Sequence, residues 1–274
     1  KSLPFWECQF ESGRGHQKLM KKFHFVFDIN SKSQKLKKSF LKKYINYKAK
    51  ESNVIVVGGG DGFMLSTLKK YIKLKKPFYG INCGTYGFLM NRNNSRDLES
   101  KIARAKRTVI NPLEIKSLNK KKKELIAINE LSIFRQSRQT AIISIKVGKK
   151  ILIKKLIGDG ALISTPAGST AYNLSVNGPI LSLDSGKLAI TPISPFRPRR
   201  WKGKIISNQL SVELKNLNPK KRPVAAVADN IEIRNVKSLK IKINKKINLV
   251  LLHDPNKTLE KRIKVEQLKK TLKR

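Results

Sequence analysis

The chain reads as an α/β amino-terminal domain built on a parallel sheet, followed by a β-rich carboxy-terminal domain. Three observations predict this. Apolar β runs alternate with amphipathic helical segments up to about residue 108, two of those runs stop at glycine-rich turns, and from about Val109 short strands separated by turns take over. Such alternation indicates a Rossmann-like sheet covered on both faces, with ligands bound beyond the carboxyl ends of its strands. The expected divisions are residues 1–19 as a weakly ordered extension, 20–108 as the α/β domain, 109–255 as the β-rich domain and 256–274 as a terminal helix.

Residues 1–19 lack periodicity, and Met20 leads almost at once into a first strand, Phe23 to Phe27. Ser31 is placed to cap a helix whose Leu36, Phe40, Leu41 and Tyr44 share one face. A second strand, Val54 to Val57, precedes a helix over Met64 to Lys73 with Met64, Leu65, Leu68 and Ile72 on its apolar side. Phe78 to Asn82 is a third strand, running into the turn Gly84 to Leu89, and Leu98 to Arg107 reads as a helix. Strands are then expected at Leu125 to Ile128, Leu131 to Phe134, Ala141 to Val147, Ile151 to Ile157, Leu188 to Ile193, Val224 to Ala228, Leu239 to Ile243 and Leu249 to Leu252. Gly148-Lys149 and Asp229-Asn230 fall where hairpin turns are needed, because Gly, Asn and Asp tolerate left-handed backbone. Leu259, Ile263 and Leu272 suggest the terminal helix. No repeat or linker is visible, so the domains are expected to meet across a broad contact.

The formal charge of +42 and pI near 10.5 would ordinarily put nucleic acid first. Here the lysines are spread through every segment beside abundant Asn and Ile, without aromatic and basic interleaving, so they read as a solvated surface that steers anionic substrates. No specific nucleic-acid partner is expected. No apolar run reaches about 18 residues and no secretory h-region opens the chain, so neither a membrane partner nor export is expected and the reading is cytoplasmic. Cys8 and Cys83 are too few for a disulfide framework or a zinc site, and His16, His24 and His253 show no ligand spacing.

The densest chemistry lies at Gly58-Gly59-Gly60-Asp61-Gly62, where a β run meets four glycines around one carboxylate. Adjacent glycines permit positive φ and close approach to a ligand, and the following helix would aim free N–H groups at the same spot. Gly58, Gly59 and Gly60 are therefore candidates for holding phosphate. A carboxylate repels phosphate, so Asp61 reads as a holder of Mg²⁺, a partner for a hydroxyl or an acceptor of a proton. The loop is not a dinucleotide fingerprint, since Phe63 and the lysines that follow break that pattern, nor a Walker loop, which would need Gly-Lys-Ser/Thr.

A second strand, turn and helix start runs from Gly158-Asp159-Gly160 through Thr165-Pro166-Ala167-Gly168-Ser169-Thr170-Ala171-Tyr172-Asn173-Leu174-Ser175. Ser169 and Thr170 offer hydroxyls beside free N–H groups, and the Tyr172 ring is large enough to support a base. Gly59-Gly60-Asp61-Gly62 resembles the loop of a kinase superfamily that includes phosphofructokinases and diacylglycerol and sphingosine kinases. Thr165-Pro166-x-Gly168-Ser169-Thr170-Ala171-Tyr172, followed by Asn177-Gly178-Pro179, resembles the narrower signature of the NAD kinase family. Asn129-Glu130 matches that family's paired Asn and acid, and Gly84 to Leu89 with Phe88 matches a further turn.

The resemblance implies an NAD kinase and diacylglycerol kinase-like architecture and ATP-dependent phosphorylation of NAD at the 2′-hydroxyl of its adenosine ribose, yielding NADP. It assigns Asp61 as general base, and Asp61, Gly62, Phe88, Asn129, Glu130, Asp159, Thr170, Ala171, Tyr172, Asn173, Leu174 and Ser175 as NAD contacts. Mg²⁺ or another divalent metal would accompany ATP with no direct protein ligand assigned, and a homodimer or homotetramer is expected. Ser169, Asp229 and Arg197 are further candidates. Asp229 reads equally as a hairpin residue, since Asn230-Ile231 stand where many members have Gly-Gln; Arg197, Arg199 and Arg200 beside Trp201 form either a solvated run or a phosphate contact across a subunit interface. Phe63 and Ala167 also depart from the family pattern. The alternatives are a lipid or sugar kinase using the same loop, or a basic nucleic-acid-binding protein.

Overall fold

The structure is a computed structural model that describes residues 22–84, 87–93, 97–118, 124–255 and 261–262. The expectations for residues 1–19, Met20, Thr85 and Tyr86 lie outside the described residues. So does most of the expected terminal helix, of which 261–262 are described and helical.

The first layer is a five-stranded sheet of β1 (Phe23–Phe27), β2 (Val54–Gly59), β3 (Phe78–Asn82), β17 (Leu249–His253) and β4 (Lys106–Ile110), in that spatial order. β1, β2, β3 and β17 run parallel, and β4 pairs antiparallel with β17. Side chains alternate across a strand, so β2 sends Val54 and Val56 to one face and Ile55 and Val57 to the other. The first face packs on Leu36 and Phe40 of α1 (Ser31–Leu41) and on Leu98 and Ile102 of α3 (Leu98–Arg104). The second packs on Met64, Leu65 and Leu68 of α2 (Asp61–Tyr71), and also on Ile128 and Ala167 from the β-rich part.

The sheets do not divide the chain at residue 108. β4 crosses that boundary, and β17, expected among the β-rich strands, returns to the parallel sheet. An all-apolar strand such as Leu249 to Leu252 suits a position buried on both faces, which the parallel sheet provides. The helix expected to reach Arg107 stops at Arg104 because Ala105 turns extended and residues 106–110 pair with β17. Two other boundaries move. Asn30, not Ser31, caps α1 through its side-chain oxygen on the Ser33 N–H, and α2 begins at Asp61, three residues before Met64.

The β-rich part is a sandwich of two antiparallel six-stranded sheets. One orders β12 (Lys204–Ser207), β11 (Lys187–Ile193), β10 (Gly160–Ser164), β7 (Glu130–Arg135), β14 (Val224–Ala228) and β15 (Ile231–Ile233). The other orders β6 (Glu124–Ala127), β5 (Leu113–Ser117), β16 (Ser238–Ile243), β13 (Val212–Asn216), β8 (Ala141–Val147) and β9 (Lys150–Gly158). Their inner faces share one core of Leu, Ile, Val and Ala, including Leu131, Ile133, Ile143, Ile163, Ile190, Leu214, Val224 and Ile241. Gly148 and Asp229 adopt positive φ in the β8–β9 and β14–β15 turns, as their residue types predict.

Candidate active site

The two glycine-rich reversals meet at one place. Met64 and Leu65 of α2, Leu89 and Met90 of the turn after β3, Ile128 before β7 and Ala167 after β10 belong to a single apolar cluster. Polar bonds reinforce this junction. Lys69 on α2 forms an ion pair with Asp229 at 2.9 Å and donates to the Ala228 carbonyl, while Asn230 donates to the Ser66 hydroxyl.

Asp61 opens α2, and its Oδ2 and Oδ1 accept the N–H groups of Phe88 and Leu89 at 2.6 and 2.9 Å. Burial pushes its carboxyl up from the ordinary value; the two backbone N–H groups and the Arg262 guanidinium oppose that shift. The glycines around it act differently from expectation. None of Gly58, Gly59, Gly60 and Gly62 has positive φ. A Cβ on Gly58 would strike the Phe27 ring and one on Gly59 the Phe63 ring, whereas a Cβ on Gly60 or Gly62 would meet nothing within 4 Å. The first pair is small because side chains pack on it. The second leaves an open face at a helix start that lacks a side-chain cap.

Across the junction, Thr165 and Gly168 lie against the Asn129 backbone. Thr165 N–H donates to the Asn129 carbonyl, Thr165 Oγ1 donates to the Ile128 carbonyl, and any Cβ on Gly168 would overlap Asn129. Asn129 Oδ1 and Glu130 Oε2 are buried without a hydrogen-bond partner. Burial and the neighbouring Asp229 push the Glu130 carboxyl up to about 8, offset in part by Lys69. Most buried polar atoms in folded proteins are hydrogen-bonded, which makes these two exceptions candidates for contact with a bound molecule. Tyr172 in α4 (Tyr172–Ser175) packs its ring 5.8 Å from Phe134. Its hydroxyl is raised by burial, then by the Asp159 and Glu130 charges.

A family model described as the ATP-NAD kinase C-terminal domain matches residues 128–245. An NAD kinase from Zymomonas mobilis subsp. mobilis is 44% identical over 242 residues, covering 87% of this chain and 94% of that one. One from Rickettsia bellii is 41% identical over 250 residues, covering 90% and 98%. The chain belongs to the NAD kinase family. Among solved structures, an NAD kinase from Archaeoglobus fulgidus in complex with ATP superposes with a TM-score of 0.70 at 19% identity, over 86% of this chain and 95% of that one. A yeast NADH kinase complexed with NADH gives 0.68 at 22% identity, covering 79% of this chain and 66% of the yeast chain. The fold is therefore that of NAD(H) kinases, and the activity is that of a phosphotransferase.

Within this NAD kinase frame, several residues expected to touch ligand have their polar groups turned inward. Ser169 is fully buried, its hydroxyl donating to the Pro166 carbonyl and accepting the Leu181 N–H. Asn173 is also fully buried, bonded to Pro179, Ser169 and the Thr191 hydroxyl. Asp229 accepts the N–H groups of Ile128, Asn129 and Glu130 besides pairing with Lys69, so all its polar capacity is engaged by protein. Asp159 pairs with Arg135 in a half-exposed position. Arg197 lies over the Phe196 ring at 4.3 Å, and its backbone bonds Ile157 at the end of β9, two residues before Asp159. Thr170, Ala171 and Leu174 are half-buried, and Ser175 is exposed. Phe88 meets Asp61 through its N–H and packs its ring on the junction cluster.

Sequence reading missed Lys69, Arg135 and Arg262 as parts of this site. Lys69 and Arg135 become partners of acids 160 and 24 positions away through strand and helix docking, and nothing local distinguishes either from the other basic residues.

Proposed function

We propose that this chain phosphorylates NAD at the 2′-hydroxyl of its adenosine ribose with ATP, and that Asp61 is the general base. ATP-dependent phosphorylation of NAD follows from the family; the acceptor hydroxyl, the base and the contacts are our reading. The observation that carries it is the position of one half-buried carboxylate at the open glycine face, at the junction that also holds two buried polar atoms without a protein partner, Asn129 Oδ1 and Glu130 Oε2.

Phosphoryl transfer asks the protein to set an alcohol in line with the γ-phosphate and to stabilise developing charge. Gly60 and Gly62 leave room for phosphate against the start of α2, whose N–H groups and dipole favour an anion. Asp61 would accept the hydroxyl proton, and its rigid seat on two N–H groups fixes the direction of that transfer. Asn129 and Glu130 suit ribose hydroxyls or an exocyclic amine, since both donate hydrogen bonds. Thr170 to Ser175 would cover the dinucleotide, with Ala171 and Tyr172 against its rings. Ser169, Asn173 and Asp229 act behind that surface by holding its backbone.

Among the described residues no group of three metal-ligating side chains comes together, and both Asp61 oxygens already face N–H donors. A divalent ion that accompanied ATP would neutralise phosphate charge.

The test is NADP formation from NAD and ATP by the full chain and by Asp61→Asn. The variant is expected to fold and to bind NAD within several-fold of the parent, with turnover lowered at least ~100-fold. Near-normal turnover would remove Asp61 from the base role.

A further inference from the structure

We propose that Arg262 is a positioning residue for Asp61: it fixes the turn that brings both N–H donors to that carboxylate and sets a positive charge beside it. The proposal rests on the reading of Asp61 as the base. Arg262 Nη1 donates to the carbonyls of Gly87 and Phe88 at 2.8 and 2.7 Å. The peptide groups concerned are those whose N–H groups, on Phe88 and Leu89, bind Asp61. Each of these two peptide units is thus held at both ends, its oxygen by a cation and its N–H by an anion.

This arrangement has two consequences. Charges of opposite sign at the two ends polarise each peptide dipole in the direction that strengthens both bonds. The turn also loses freedom, because it is tight already: a Cβ on Gly87 would come 3.1 Å from both Asn82 and Met90. A guanidinium suits the task because one planar group serves two carbonyls while remaining charged.

Arg262 is half-buried, and its partial desolvation lowers its proton affinity; Asp61 and then Asp254 offset that, and Arg92 adds a smaller repulsion. Asp254 is held by the Tyr79 hydroxyl at 2.7 Å and donates its N–H to Asn91. His253, fully buried beside this group, is pushed down to about 4 by burial and then by Arg262 itself, so it stays neutral near pH 7. Arg262 is the cation that opposes protonation of Asp61.

The test compares full-length parent, Arg262→Gln and Arg262→Lys. The Asp61 carboxyl is titrated by ¹³C NMR, its signal assigned by its loss in Asp61→Asn, and kcat for NADP formation is followed against pH. Removing the cation raises the Asp61 titration midpoint, so in Arg262→Gln both the midpoint and the acid limb of kcat are expected to move up by at least ~0.5 pH unit. KM for NAD is expected to change less than ~3-fold. Arg262→Lys keeps the charge with poorer geometry, so its midpoint returns most of the way while kcat stays below the parent; it serves also if the glutamine variant does not fold. An unmoved midpoint in a folded Arg262→Gln, or kcat lowered equally at every pH, would overturn the proposal. The NMR midpoint reads the coupling without turnover, so failure of the kinase reading would show separately as absence of NADP from the parent.

Discussion

Glu130 shows how burial of a single residue couples stability to pH. Its Oε2 has no partner, and burial with the Asp229 charge raises its carboxyl from 4.5 to about 8. The folded protein therefore holds this proton more tightly than the unfolded chain. The resulting stabilisation is complete below pH 4.5 and is lost as pH rises towards 8. Glu130→Gln removes that dependence. In urea unfolding without NAD, the variant is expected to match the parent near pH 4.5 and to exceed it by at least ~1 kcal/mol at pH 8. Parallel stability curves for the two proteins would contradict this account. In the sequence, Asn129-Glu130 was legible only through family likeness, because a pair of polar residues at a strand start carries no local signal of burial.

At the scale of elements, the contact that aligns the site is α2 against the β14–β15 hairpin. The Asp229 side chain is 1% exposed and serves three N–H groups and Lys69, so its truncation leaves buried donors and a partly buried cation without their acceptor. Asp229→Ala is expected to cost about 3–5 kcal/mol in denaturant unfolding. Lys69→Met is expected to cost less, about 1–2 kcal/mol, because Asp229 keeps its three N–H bonds. Equal losses would mean that the ion pair and not the backbone capping dominates. The hairpin itself was legible from Asp229-Asn230, and positive φ at Asp229 bears that out. The direction of its carboxylate was not, because it depends on a strand 99 to 101 positions away.

The whole molecule carries a charge of +42, which sets its behaviour toward salt more than its fold. Like charges on a compact body repel, and added salt screens them over about 10 Å at 0.1 M. Thermal stability is expected to rise between ~20 and ~200 mM NaCl, and the apparent association rate of NAD to fall over the same range. A flat dependence of both would show that the lysines are locally compensated. Bulk duplex DNA is expected to bind weakly at physiological salt, since the lysines are spread through every segment of the chain. A tight, salt-resistant complex would instead favour the nucleic-acid alternative.

The sequence by itself determined the periodicities, the two glycine-rich reversals and the family motifs, because each is a local pattern of residue types. The alternation of β2 and the hairpin turns also follow from such patterns. Only the tertiary structure decided that β17 returns to the parallel sheet and that Gly58 and Gly59 are small to admit Phe27 and Phe63. It also turned Ser169, Asn173 and Asp229 inward and brought Arg262 to the turn at Asp61. These are choices among partners distant in the chain. Which polar group meets which is fixed by how sheets and helices dock, and residue type alone does not encode that geometry.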